Sequence, residues 1–304
     1  EVWFVQFSNN GDFLASSSND CTAIIWTIHE DDTVTHRHTL AGHQNPVSFL
    51  AWSPNDVMLL TCGNPDVLKL WDVETGTCKH TFGNPASSCA WFPCSTRLVS
   101  GSADPEKGIC MWDCEGNEIR SWRVARSDLR GELVLVVPVH LAVTPDGQRL
   151  ISIFSDKEIR ILHIDTNVEH VISVDHVMTS LSVSADGGSF IVSMNSQEIH
   201  LWTISPNQKT PRKKFLGHKQ REFVIRSCLG GYNGSFIASG SEDCQVYIWN
   251  KRNSLPLKVL FGHNKTVNCV SWNPKRHRML ASASDDQTIR IWGSPNQTTP
   301  PMCL

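Results

Sequence analysis

The chain has 304 residues, 19% of them charged, and a net charge of -3, so no global field draws it onto nucleic acid or anionic lipid. Its length suffices for a large core, either as one closed all-β domain or as two average ones. The eleven cysteines are odd in number and sit in strand-like runs such as Thr61-Cys62-Gly63, which fits a reducing compartment, and neither Cys89 with Cys94 nor Cys110 with Cys114 has the paired knuckles of a structural zinc site.

The first element is an alternating apolar run, Val2-Trp3-Phe4-Val5-Gln6-Phe7, which predicts the inner strand of a sheet. No initiating Met and no charged-then-apolar leader precedes it, so an internal fragment or a processed chain is expected. Ile24-Ile25-Trp26 closes a third strand. That ending recurs as Lys69-Leu70-Trp71, Cys110-Met111-Trp112, His200-Leu201-Trp202, Tyr247-Ile248-Trp249 and Arg290-Ile291-Trp292, and Ile159-Arg160-Ile161-Leu162 fills the gap with Leu for Trp. Successive spacings are 45, 41, 50, 40, 47 and 43 residues, the period of a propeller blade. Outer strands read at His38-Thr39-Leu40 and Lys258-Val259-Leu260, and Gly-His follows at Gly42-His43, Gly217-His218 and Gly262-His263.

In mid-chain, Arg123 to Val137 departs from the repeat and reads as a long loop on an eroded fourth blade. The apolar run Leu133 to Val143 is about half a membrane span and contains Pro138, so it reads as strand. Basic residues cluster at Lys209, Arg212, Lys213, Lys214, Lys219 and Arg221, and again at Lys275, Arg276 and Arg278. Such runs can dock an acidic partner, a nucleic acid or an import receptor but more often are solvated loops, and without interleaved aromatics nucleic acid is not an expected partner. Gly230-Gly231-Tyr232-Asn233-Gly234 is a turn, not a phosphate loop. Asn233, Asn264 and Asn296 begin glycosylation triplets that matter only in a secreted protein. In the last unit, Val267 to Trp272, Met279 to Ser284 and Ile289 to Trp292 are separated by Asn273-Pro274 and Asp285-Asp286. After Trp292-Gly293 comes Ser294 to Pro301, which cannot donate a strand. The expectation is therefore an all-β, seven-bladed propeller over residues 1–293, a disordered tail over 294–304, and a last blade without its outer strand, that strand lying upstream of Glu1.

These repeats resemble the WD-repeat family, marked by Gly-His near the unit start and Trp-Asp at the end of the third strand, as in Trp71-Asp72 and Trp112-Asp113. The resemblance implies that a His, a Ser or Thr, an Asp and the Trp hydrogen-bond together within a blade. The best matches are His218, Ser239, Asp243 and Trp249, then His263, Ser282, Asp286 and Trp292. A Ser, His and Asp together also invite a hydrolase reading, but a nucleophile needs a single exposed hydroxyl on a strained turn, whereas this constellation repeats inside strands. No catalytic residue, cofactor or metal is expected.

Three stretches are more specific: EVWFVQFSNNGDFLASSSNDCTAIIW, CLGGYNGSFIASGSEDCQVYIW and TVNCVSWNPKRHRMLASASDDQTIRIWG. They resemble the WD-repeat protein twenty-six family, plant forms among them, whose members are subunits of GID/CTLH ubiquitin ligases. The resemblance implies a propeller that follows LisH and CTLH helical regions, partners bearing LisH/CTLH or RING regions together with substrates, and a cytoplasmic or nuclear location. Alternatives are a cullin-4 substrate receptor, disfavoured because Glu74 and Glu115 stand where that class has Arg, and a signalling scaffold like a G-protein β subunit. The partner surface is expected on the rim formed by loops before inner strands and by turns between second and third strands. It comprises Trp3, Asn19, Asn45, Phe49, Asn64, Arg226, Glu242, Lys265 and Asp285, side chains expected to be free of packing duty.

Overall fold

The computed structural model describes residues 1–63, 67–102, 107–124, 126–127, 133–134, 136–205 and 208–293. Apolar residues alternate with period two along each predicted run, so successive side chains point to opposite faces of a strand and every sheet acquires two faces that neighbouring sheets cover. Blade one shows the plan: Val2–Phe7, Phe13–Ser18, Thr22–Ile28 and Val34–Ala41 pair in that order as an antiparallel meander. Blade two runs from Phe49–Trp52 through Met58–Cys62 and Val67–Asp72 to Cys78–Pro85, and blade three from Ser88–Trp91 to Glu118–Trp122. Blades four, five and six begin at Pro138–Val143, Met178–Val183 and Ser227–Gly230, each again with four strands. The seventh has three among the described residues, Val267–Trp272, Leu280–Ser284 and Ile289–Trp292. Among the described residues helix is confined to a single 3-10 turn at Tyr232–Gly234.

The inner strand of each blade packs on that of the next, and Val267–Trp272 packs on Val2–Phe7, so the sheets close into a ring. Hydrogen bonds reinforce these seams. Trp52 Nε1 donates to Gln6 O at 3.0 Å and Trp91 Nε1 to Ala51 O at 3.0 Å, each tying one inner strand to the preceding one. The hairpins within a blade are set by their turns. At the first turn, Ser8, Ser53, Thr144 and Ser184 donate from the hydroxyl to the side-chain oxygen of Asn10, Asn55, Asp146 and Asp186. This is a local turn lock that competes well because both groups lie two residues apart. At the second turn the chain takes the left-handed conformation at Cys21, Lys157, Gln197, Cys244 and Gln287.

The divergent stretch departs from the sequence reading in its details. Blade four is a complete meander, not an eroded one, and the extra length lies before it, partly as a small hairpin pairing Arg126–Ser127 with Leu133–Val134. The apolar run is therefore two strands, Leu133–Val134 in the hairpin and Pro138–Val143 at the channel. Where blade four lacks the repeat Trp, buried Leu162 stands instead. Beside it Arg160 lies 4.3 Å over Phe154 and pairs with Glu158 at 3.1 Å and Asp156 at 3.5 Å.

The channel mouth and the blade networks

One end of the central channel opens into a cavity of about 790 Å³. Every blade contributes to its wall from the start of its inner strand: Trp3, Ser48, Ser87, Val137, Thr179, Arg226 and Thr266. Glu242 and Asp285 enter from turns between second and third strands, and Lys265 from the approach to blade seven. Five rim candidates therefore converge here: Trp3, Arg226, Glu242, Lys265 and Asp285. Asn19 is exposed on its turn and Asn45 is half-buried, and neither lines the cavity. Asn64 lies outside the described residues.

Three of these side chains carry packing duty, contrary to the sequence expectation. Phe49 is buried at 3% exposure, with its ring 4.8 Å from Phe4 and 4.6 Å edge-on from His140, so it packs against the inner strands of blades one and four rather than standing on the rim. Arg226 reaches across the channel to lie 4.9 Å over Phe4 and 5.6 Å over Phe49, and its Nε is sealed from solvent. Burial together with the charge of Arg226 pushes the His140 imidazole down to about 3, so His140 is neutral and its Nδ1 accepts the Leu181 N–H at 3.1 Å. Glu242 is a loop clasp. Its Oε1 accepts the N–H groups of Arg221, Glu222 and Phe223 at 2.8, 2.8 and 2.9 Å. Burial alone would raise the Glu242 carboxyl, but those backbone donors outweigh it and hold it below the ordinary carboxylate range.

The clasped loop carries residues the sequence reading missed. Phe223 and Val224 stand at the mouth, about half exposed. Their signal was present, an apolar pair in the polar run Lys219-Gln220-Arg221-Glu222-Phe223-Val224, but no repeat register marks a loop.

In blade seven the four matched residues form one chain of hydrogen bonds. Trp292 Nε1 donates to Ser282 Oγ at 2.8 Å, the hydroxyl lies 2.7 Å from His263 Nε2, and His263 Nδ1 donates to Asp286 Oδ2 at 2.8 Å. Ser282 has no exposed surface and its oxygen is already engaged by the indole, so the relay fastens strands together and offers no nucleophile to a substrate. Blade six does not repeat it. Trp249 Nε1 turns to Leu216 O at 3.0 Å, Ser239 Oγ to Gly240 O at 2.9 Å, and Asp243 accepts from Tyr247 at 2.8 Å. Neither ring nitrogen of His218 lies in hydrogen-bond geometry with a described residue, and burial, outweighing the pull of Gln220 beside it, pushes the imidazole down to about 4. Blade two, by contrast, assembles a network with Thr61 in the serine position, where Trp71 Nε1 and His43 Nε2 both lie 2.7 Å from its hydroxyl. The same indole-to-hydroxyl link joins Trp26 to Ser16 and Trp112 to Ser100.

Antiparallel meanders in a closed ring, pinned within blades by His, Ser or Thr, Asp and Trp, define a WD-repeat propeller. The chain belongs to the family described as WD domain, G-beta repeat, whose profile matches residues 1–27, 34–72, 76–113, 209–250 and 254–293. Blade four, where Leu162 replaces the Trp, and the first three strands of blade five, where Trp202 Nε1 has no hydrogen-bond partner among the described residues, fall outside those matches. Within the family the chain is 62% identical over 98% of its length to the "WD repeat-containing protein WDS homolog" of Arabidopsis thaliana, covering 56% of that protein. It is 45% identical over 96% of its length to the "WD repeat-containing protein 26 homolog" of the same plant, covering 48% of it. Against "GID complex subunit 7" of Schizosaccharomyces pombe the figures are 33% identity, 97% of the chain and 56% of the relative. The chain thus spans about half the length of the curated relatives it matches.

Proposed function

We propose that this propeller is the protein-binding scaffold of a GID/CTLH-type ubiquitin ligase, joining subunits with LisH/CTLH or RING regions and presenting substrates to them, in the cytoplasm, the nucleus or both. The observation that carries this reading is continuity of likeness: relatives named WD repeat-containing protein 26 homolog and GID complex subunit 7 align over 96% and 97% of the chain. The channel mouth supports it, since loops held on a rigid ring with an aromatic, exposed apolar side chains and charges make a surface suited to a protein partner. No step of chemistry is assigned to the buried Ser282-His263-Asp286 relay.

The test is copurification. The tagged full-length protein should recover RING and LisH/CTLH subunits in stoichiometric amounts. Recovery of a cullin-4 adaptor or of a Gα subunit in their place would replace this reading.

A further inference from the structure

Arg226 and Lys265 are the cations among the described residues lining the cavity, and their situations differ. Lys265 is exposed on the rim. The Arg226 guanidinium lies below it on Phe4 and Phe49, with Nε buried and without a hydrogen-bond partner, and no carboxylate lies within ion-pair distance among the described residues. Arg226 is half-buried and lines the cavity, so its charge is partly withdrawn from water, and stacking on rings returns less than a partner carboxylate would.

The acids of the same cavity do not supply the missing partner. Glu242 Oε1 is committed to three backbone N–H groups, and Asp285 Oδ1 accepts from Asn268 Nδ2 at 2.6 Å. Glu1 is exposed at the rim. His140, against the same ring of Phe49, is neutral. Val137, Pro138, Phe223 and Val224 line the same cavity, alongside the hydroxyl side chains of Ser87 and Thr179.

We propose that the channel mouth receives a segment of a protein partner that carries a Glu or Asp side chain down to the Arg226 guanidinium, with apolar residues on either side of that acid resting on Trp3, Phe223 and Val224. This rests on the scaffold reading and adds the chemistry of the occupant. A planar fork of donors matches a carboxylate in two bonds, and a low-dielectric wall strengthens the pair. A side-chain acid fits better than a chain-terminal carboxylate, because the loop N–H groups of residues 221–223 that would hold a main-chain terminus are taken by Glu242. Lys265 adds attraction at the rim that salt screens.

The purified chain is titrated with short capped peptides, apolar on both flanks, with Glu, Gln or Lys at the centre. The Glu peptide should bind at least about tenfold more tightly than the Gln peptide, the gain of one charge-assisted pair. In Arg226→Met, with folding checked by melting, that ratio should fall to near one. If the variant does not fold, the wild-type ratio at about 0.1 M and 1 M salt decides: a ratio that survives places the pair out of solvent at Arg226, and one that collapses places it on Lys265 and overturns the proposal. Equal binding of Glu and Gln peptides, or tighter binding of the Lys peptide, also overturns it. Either result leaves the copurification test standing, so the two readings fail separately.

Discussion

At the scale of single residues, the informative side chains are buried titratable groups, since each ties stability to hydrogen bonding or to pH. Asp286 accepts from His263, Asn264 and Thr288. Burial would raise its carboxyl, but these donors hold it well below the usual range. Asp286→Ala strips buried donors of their acceptor and should cost about 1–3 kcal/mol in denaturant unfolding; an unchanged midpoint would remove Asp286 from the network. Protonation works in the opposite direction at two histidines. Folding lowers His218 from 6.5 to about 4 and His140 from 6.5 to about 3, chiefly by burial, so the unfolded chain binds protons that the folded chain refuses. Stability should be full above the unfolded value of 6.5 and decline as pH falls towards the folded values. His218→Leu should flatten that decline by roughly 2–3 kcal/mol at pH 4, measured as melting against pH, and an unaltered slope would mean His218 charges freely in the fold. These roles were only partly legible. The letters of blade six match the repeat as well as those of blade seven do, yet Trp249 and Ser239 choose backbone carbonyls, and Tyr247 takes Asp243. Residue spacing fixes which strand a side chain sits on, not its rotamer, and for the same reason the sequence did not reveal that Arg226 and Phe49 turn inward.

At the scale of elements, periodicity was legible because it is enforced by packing: a strand that slipped by one residue would turn its whole apolar set outward. The Trp-ending third strands therefore appear where the spacing placed them, at Thr22–Ile28, Val67–Asp72, Ile109–Asp113, Gln245–Asn250 and Ile289–Trp292. Blade four was less legible, since Leu162 gives no Trp landmark and its outlying hairpin carries the extra length. Close approach between blades is a feature that composition cannot show. After Phe236–Ser239 the chain passes at Gly240 so near blade seven that a Cβ would lie 2.0 Å from Val267 O, and this contact adjoins the Val267 N–H to Ser241 O bond of 3.0 Å. Gly240→Ala forces the seam apart and should cost about 1–3 kcal/mol or more by overpacking. Gly234→Ala faces no side chain or backbone within 4 Å but has a left-handed φ of 59°, so its smaller loss, about 1 kcal/mol of backbone strain, serves as the comparison. Equal losses in the two variants would mean the blade six to blade seven contact is not tight.

At the scale of the whole molecule, stability depends on a ring in which each blade borrows from two neighbours, so the seam between blades seven and one decides whether the ring opens locally. Backbone pairing within blades does not cross it. What crosses it is a row of side-chain bonds: Phe7 N–H to Ser271 Oγ at 3.0 Å, Asn268 Nδ2 to Val2 O at 3.1 Å and Asn273 Nδ2 to Gly11 O at 2.9 Å. Arg276, read from the sequence as part of a solvated basic cluster, belongs to this row, with Nη1 donating to His29 O at 2.6 Å and pairing with Asp32 at 2.7 Å. Asn273 is the central member because it is fully buried and its Oδ1 also accepts the N–H groups of Lys275 and Arg276 at 3.0 and 2.8 Å, shaping the turn that aims Arg276 across the seam. Asn273→Ala leaves Gly11 O without its donor and two amides without their acceptor, a loss of about 1–3 kcal/mol. The location of the loss is the sharper readout. Amide exchange should quicken first in Val2–Phe7 and Val267–Trp272, while Ser88–Trp91 and Pro138–Val143, on the far side of the ring, keep their protection, because opening one seam releases only the blades beside it. Exchange that quickened evenly in all four strands would show that the ring yields only as a single unit.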